Sequence, residues 1–167
     1  MRKDKEASRE VPDARGLSFA LVVSHFNDFV TDRLRDGALR ALASAGVSTD
    51  EVSVLLVPGS FELPLAARCA AETKRFDAVI CLGCLIRGAT AHFEYIASAV
   101  SSGIIKASAE TKVPISFGVL TTNSVEEALE RAGQGPSNKG WEAAIAAIEM
   151  VILLRELVQS RKDESSA

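Results

Sequence analysis

Four short apolar runs punctuate the chain: Leu17–Val23, Val52–Val57, Ala78–Ile86 and Pro114–Leu120. Each is continuous rather than alternating, the pattern of strands covered on both faces, as in a parallel sheet. Between and after these runs the apolar positions recur at helical spacing. Leu34, Ala38, Ala41, Leu42 and Ala45 form one stripe, which predicts a helix from near Asp28 to Ala45 with Gly46 as its C-terminal cap. A second helix is expected over Phe61–Arg75, with Pro64 in its first turn, where a missing N–H costs little. A third is expected over Ala91–Ala109. A short fourth opens on Ser124-x-x-Glu127, a capping box. The last runs from about Lys139 to Arg161, with Ala144, Ile145, Ile148, Ile152 and Val158 on the sheet-facing stripe.

The resulting order is β-α-β-α-β-α-β-α-α. Right-handed crossovers turn it into an α/β fold, a flavodoxin-like three-layer α/β/α sandwich around a four-stranded parallel sheet. Residues 1–15 are polar, contain Pro12, and read as a flexible or separately docked arm. Residues 16–161 read as one domain, and residues 162–167 as a polar tail. In such folds ligands gather at the carboxyl ends of the strands. The loops after Val23, Val57, Ile86 and Leu120 are therefore where chemistry is expected.

Composition narrows the options. The 167 residues are 47% hydrophobic, enough for a core, and 19 basic against 22 acidic residues leave a net charge of −3. That balance advertises neither nucleic acid nor a membrane surface. No apolar run approaches the roughly 18 residues of a membrane span. The opening MRKDKEASRE leads into no apolar block, which argues against a secretory signal and for a cytoplasmic location. Three cysteines fit that compartment. Cys81 and Cys84 form a C-x-x-C, but it lies inside AVICLGCLI, a buried strand, rather than at a helix start. Two small core side chains are the expectation, and no metal site, since histidines and cysteines at usable spacing are too few.

The loop after the third run reads Arg87-Gly88-Ala89-Thr90-Ala91-His92-Phe93. Gly88 and Ala89 leave backbone amides uncrowded, Thr90 is a good N-cap, and a helix start behind it suits a phosphate. His92 then lies in the first helical turn, where an imidazole is a useful proton shuttle. A surface or capping histidine is the plainer alternative. After the second run, Ser60 and Glu62 offer groups that read hydroxyls, or else Ser60 caps a helix and Glu62 favours its dipole. After the first run, Phe26 is placed to stack on a flat heterocycle or to fill a core, and Asn27 is expected as a helix cap. Farther on, Arg131 and Lys139 flank the glycine-rich turn Gly133–Asn138 and suit an anion clamp, or are solvated charges.

Taken together and in order, these segments resemble the lumazine synthase family. The matching stretches are SHFNDFVTDRLRDGALRAL, VPGSFELPLAA, DAVICLGCLIRGATAHFEYIASAV, PISFGVLTTNSVEEALERAG and NKGWEAAIAAIEM, which cover nearly all of the chain from Phe19 to about Leu154. The resemblance implies roles position by position. Phe26 looks like the aromatic that stacks on a pyrimidine. Ser60, Phe61 and Glu62 look like the segment that holds a ribityl chain. Cys84, Leu85 and Ile86 resemble the strand end whose backbone meets the ring, and Phe117 a second ring contact. Ala89 and Thr90 look like the phosphate turn, with Arg131 as anchor and Lys139 as a basic helper. His92 resembles the proton-transfer residue. His25, Ser60, Cys84 and Ala91 depart from the family's usual arginine, alanine, small residue and proline, and none of these changes removes a proposed chemical group.

The implied activity is the condensation of 5-amino-6-(D-ribitylamino)uracil with 3,4-dihydroxy-2-butanone 4-phosphate to 6,7-dimethyl-8-ribityllumazine, with no metal or organic cofactor. The implied assembly is a homopentamer with sites between subunits, Phe117 and Arg131 coming from the neighbour. In many members twelve pentamers form a 60-subunit capsid, and association with riboflavin synthase is a further expectation. Pro12, Arg15 and the charges before them disfavour the long edge strand that capsid-forming members place there. The rival readings are a riboflavin synthase that dismutates two lumazines, and a non-catalytic flavin- or lumazine-binding or shell scaffold protein.

Overall fold

The computed structural model describes residues 10–165. Residues 1–9 of the expected arm and residues 166–167 of the expected tail lie outside that range. Four parallel strands, β1 (Phe19–Ser24), β2 (Val52–Val57), β3 (Ala78–Ile86) and β4 (Ile115–Thr122), stand in the order β2-β1-β3-β4. Five helices alternate with and follow them: α1 (Asp28–Ser44), α2 (Leu63–Glu72), α3 (His92–Thr111), α4 (Val125–Arg131) and α5 (Lys139–Ser165). The three-layer sandwich read from the apolar runs is the observed fold.

Strand alternation divides the core in two. Phe19, Leu21, Val23, Ile80 and Leu82 pack under α1, α4 and α5 with Leu34, Leu42 and Ile148. Ala20, Val22, Val79 and Cys81 face α2 and α3, meeting Leu63, Ala67, Val100 and Ile104. Right-handed crossovers demand this split: the chain steps one way from β1 to β2 and the other way from β2 to β3 and β4, so α1 lies on the face opposite α2 and α3. The reversal leaves a switch point between the carboxyl ends of β1 and β3.

The pattern of full coverage holds for β1, which is buried throughout, and not for β2. Val54, Leu55 and Leu56 remain exposed at 42%, 38% and 65%. As an edge strand, β2 lies beyond the helical layers, and an apolar run cannot say whether its cover comes from the same chain. Full burial of such a side chain is worth roughly 1.5–3 kcal/mol, so three of them form an uncovered apolar edge.

The ends of the domain differ from expectation. Ala14 and Leu17 are buried, and the Ala14 amide donates to the Ala45 carbonyl at 2.8 Å, so the last residues of the expected arm dock on the core. At the other end α5 continues to Ser165, into the segment read as a tail. The capping box is present: the Glu127 amide donates to Ser124 Oγ at 3.2 Å, while the Glu127 carboxylate accepts the neighbouring Asn123 N–H at 3.0 Å.

The glycine-rich turn before α5 is built around Asn138, which is fully buried. Its Nδ2 donates to the carbonyls of Arg33 and Gly133, and its Oδ1 accepts the Gly140 and Trp141 amides at 2.8 and 3.2 Å. It is thus the N-cap of α5 and a tie to α1. A Cβ on Gly140 would overlap the Leu34 carbonyl, so only glycine allows α5 to cross α1 this closely.

Candidate active site

The carboxyl ends of β1, β2 and β3 surround a cleft of about 420 Å³ at the switch point. The loop after β1 supplies Phe26 and Asn27, the loop after β2 supplies Gly59, Ser60 and Phe61, and the end of β3 supplies Cys84, Leu85 and Ile86. Gly88, Thr90, His92, Phe93 and Ile96 close it from the start of α3. Eight of the residues singled out in the sequence therefore meet in one place: Phe26, Ser60, Phe61, Cys84, Leu85, Ile86, Thr90 and His92. Phe26 and Phe61 are 67% and 59% exposed, which rejects the reading of Phe26 as a core aromatic and leaves both rings free to contact a ligand. Glu62 and Ala89 are exposed but do not line this cleft.

Local chemistry explains the shape. Asn27 occupies the N-terminal position of α1, yet its side chain makes no cap; it sits in the left-handed region at φ 61°. Its Nδ2 instead donates to the Cys84 carbonyl at 2.9 Å, tying the Phe26 loop to the end of β3. Short polar side chains tolerate this backbone region, and that is why an asparagine serves here. Ser60 does not cap a helix either. It begins a single 3-10 turn, is 5% exposed, and its Oγ has no hydrogen-bond partner. A Cβ on Gly83 would come within 2.6 Å of that oxygen, so glycine in β3 makes room for it. A buried hydroxyl without a partner costs on the order of 1–3 kcal/mol, and such a group in a cleft wall is disposed to bond a ligand.

At the start of α3 the capping position belongs to Ala91, one residue later than expected, and no side chain caps it. Thr90 Oγ1 accepts from the His92 amide at 3.5 Å, at the limit of a hydrogen bond. The first-turn amides and the Thr90 hydroxyl therefore remain available to an anion. His92 is the first residue of the helix and is exposed.

The two cysteines of the C-x-x-C lie on opposite faces of the sheet, because an odd spacing along a strand reverses the side-chain direction. Burial pushes the Cys81 thiol up to about 12 and the Cys84 thiol up to about 11. They are core side chains, as the strand context implied. No group of His, Cys, Asp and Glu able to hold a metal ion occurs among the described residues. Among the same residues no helix is long and apolar enough to cross a membrane.

Phe117, Arg131 and Lys139 do not join the other eight. They line a second cleft of about 390 Å³ along the free edge of β4, together with Glu142, Ala143 and Ala146 of α5. The two clefts share no lining residue. Phe117 is 46% exposed. Arg131 donates to the Glu127 carbonyl at 3.2 Å, and Lys139 Nζ is held by the Glu142 carboxylate at 2.7 and 2.8 Å. Sequence reasoning gave no role to Glu142, although its i,i+3 spacing from Lys139 was a readable signal. It treated Asn138 only as part of a turn, although an asparagine ahead of a helix start is a cap signal.

One chain thus carries an aromatic, hydroxyl-lined cleft with a histidine at a helix start, and separately an edge with an aromatic and two cations. The family model described as 6,7-dimethyl-8-ribityllumazine synthase matches residues 16–155. A 6,7-dimethyl-8-ribityllumazine synthase of Syntrophus aciditrophicus (strain SB) is 57% identical over 144 residues, covering 86% of this chain and 94% of the relative. The match spans β1 through most of α5 and so includes both clefts and the turn between α4 and α5, and on this evidence the chain belongs to the 6,7-dimethyl-8-ribityllumazine synthase family.

Proposed function

We propose that this chain condenses 5-amino-6-(D-ribitylamino)uracil with 3,4-dihydroxy-2-butanone 4-phosphate to 6,7-dimethyl-8-ribityllumazine, the penultimate step of riboflavin biosynthesis, releasing phosphate and water. The observation that carries it is the strand-end cleft, where Phe26, the unpartnered Ser60 hydroxyl and His92 at a helix start face one space. Phe26 stacks on the pyrimidine. Ser60, Phe61 and Glu62 hold the ribityl chain, and the backbone of Cys84, Leu85 and Ile86 meets the ring edge. Ala89 and Thr90 bind the phosphate at the α3 terminus.

The second cleft completes the site from a neighbouring subunit. Phe117 adds a further ring contact, Arg131 anchors the phosphate and Lys139 supports it. Two observations support this reading. The two residue sets lie in separate clefts of one chain, and β2 leaves an apolar edge uncovered. A head-to-tail ring reconciles both, since each subunit lends one cleft and keeps the other. We therefore propose a homopentamer in the cytoplasm, with a 60-subunit capsid and association with riboflavin synthase as further possibilities of assembly.

In the reaction the pyrimidine's amine attacks the ketone, and loss of water gives an imine. Elimination expels phosphate, the enol tautomerises, and ring closure loses a second water. His92 moves protons between these steps. Holding two small reactants together supplies much of the remaining acceleration. The test mixes both substrates with purified protein and follows lumazine absorbance above the spontaneous rate. Saturable acceleration is expected, reduced about 10²-fold but not abolished in His92→Ala. A wild-type turnover number in that variant would reject the role of His92. No acceleration, with tight lumazine or flavin binding, would reject the enzyme reading in favour of a carrier.

A further inference from the structure

Resting on that reading, the geometry points to Arg87 as a positioning residue that clasps the phosphate turn and His92 in place. The segment Gly88–Ala91 has little to hold it. Residues 87–92 are all exposed, Gly88 stands in open space, and Ala91 at the capping position of α3 offers no side-chain cap. The Thr90–His92 bond is at the distance limit. Yet positioning at this turn matters, because a displacement of about 1 Å at a reacting group costs on the order of 10²-fold in rate.

Arg87 grips the turn from both ends. Its amide donates to the Thr122 carbonyl at 2.8 Å, carrying the β3–β4 pairing one residue past the strand. Its Nε donates to Asn123 Oδ1 at 3.0 Å in the loop after β4. Its Nη1 pairs with the carboxylate of Glu94, and its guanidinium lies 4.5 Å from the centroid of the Phe93 ring. Glu94 and Phe93 are the residues that follow His92, so one side chain spans the whole turn and fastens to the first turn of α3.

An exposed ion pair alone would fix little, and both partners here are about half exposed. Three simultaneous contacts on one planar, forked group are different, since fork and ring face constrain each other. The grip also extends toward the second cleft: the Asn123 amide donates to the Glu127 carboxylate at 3.0 Å, and Glu127 offers its carbonyl to Arg131. None of these contacts places Arg87 among the residues lining either cleft. It acts through the turn rather than on a substrate.

The experiment compares wild type, Arg87→Ala and Arg87→Lys in amide hydrogen exchange over residues 88–93 and in the two Michaelis constants. Arg87→Ala is expected to exchange faster there, with KM for the sugar phosphate raised about tenfold and KM for the pyrimidine within about twofold. Arg87→Lys, which keeps the charge facing Glu94 but loses fork and stacking, is expected to fall between. Unchanged exchange, or an equal rise in both KM values, would overturn the assignment. So would faster exchange with an unchanged sugar-phosphate KM. If wild type makes no lumazine, the functional reading fails, and the exchange rates alone decide whether Arg87 clasps the turn.

Discussion

The two clefts are of similar volume and opposite character. The strand-end cleft is walled by rings, aliphatic side chains and backbone, and its one buried hydroxyl has no partner. The β4-edge cleft holds two cations already engaged, Arg131 on a helix carbonyl and Lys139 on Glu142. The first is suited to a flat ring and a polyol, the second to an anion whose arrival must compete with existing bonds. The difference teaches that one chain's topology holds the two sets of groups apart, the separation that the proposed shared site has to bridge.

The largest effect expected from this division is complementation. His92→Ala and Arg131→Ala chains, each impaired on one half, are co-expressed and assayed together at sugar phosphate well below its KM. In a randomly mixed ring roughly a quarter of the sites pair an intact His92 with an intact Arg131 from the next chain. Activity should therefore rise well above either variant alone. Activity equal to the average of the two would place both halves in one chain and break the comparison.

Single variants sharpen it with smaller effects. Arg131→Ala should raise KM for the sugar phosphate about tenfold or more, with little change for the pyrimidine. Phe26→Ala should do the reverse, raising KM for the pyrimidine by about tenfold as a ring contact is lost. Steady-state kinetics with each substrate varied in turn would show the crossing. Equal effects on both constants would dissolve the assignment of one substrate group to each cleft.

The smallest effect concerns the floor of the strand-end cleft. Cys84 and Cys81 are fully buried, and burial raises their thiols from 9.0 to about 11 and about 12. A neutral thiol whose folded value is raised stabilises the fold fully below the unfolded value, and that stability is lost as pH rises through the folded value. Thermal unfolding should thus show declining stability from about pH 9 upward, within the window set by these two groups. Alkylation at pH 8 should label neither cysteine in the folded protein and both in denaturant. Rapid labelling of Cys84 in the native state would mean that the floor is open to water.

Much of this was readable in the chain. Continuous apolar runs and helical stripes require a buried parallel sheet with helices on both sides, whatever the neighbours are. The candidate loops follow, because strand ends collect ligands in such folds. Local signals were less secure where a side chain had more than one partner within reach. Asn27 and Thr90 look like caps in one dimension. In three, Asn27 finds the Cys84 carbonyl 57 residues away, and the capping position of α3 falls on Ala91, one residue after Thr90. Ser60 reads as a cap too, and only the packing of Gly83 against it shows a hydroxyl held without a partner.

What the sequence determined by itself is the layered architecture, the identity of the chemical groups and the family to which their order belongs. Those depend on periodicity and on residue type, both local. Tertiary structure decided which groups share a space. It separated Phe117, Arg131 and Lys139 from the rest, left β2 uncovered, and drew Arg87 across a turn that residue types alone left unfastened. These outcomes depend on strand order and on helix crossings such as that of Gly140 over Leu34, and no pattern along the chain encodes a distance between residues far apart in it.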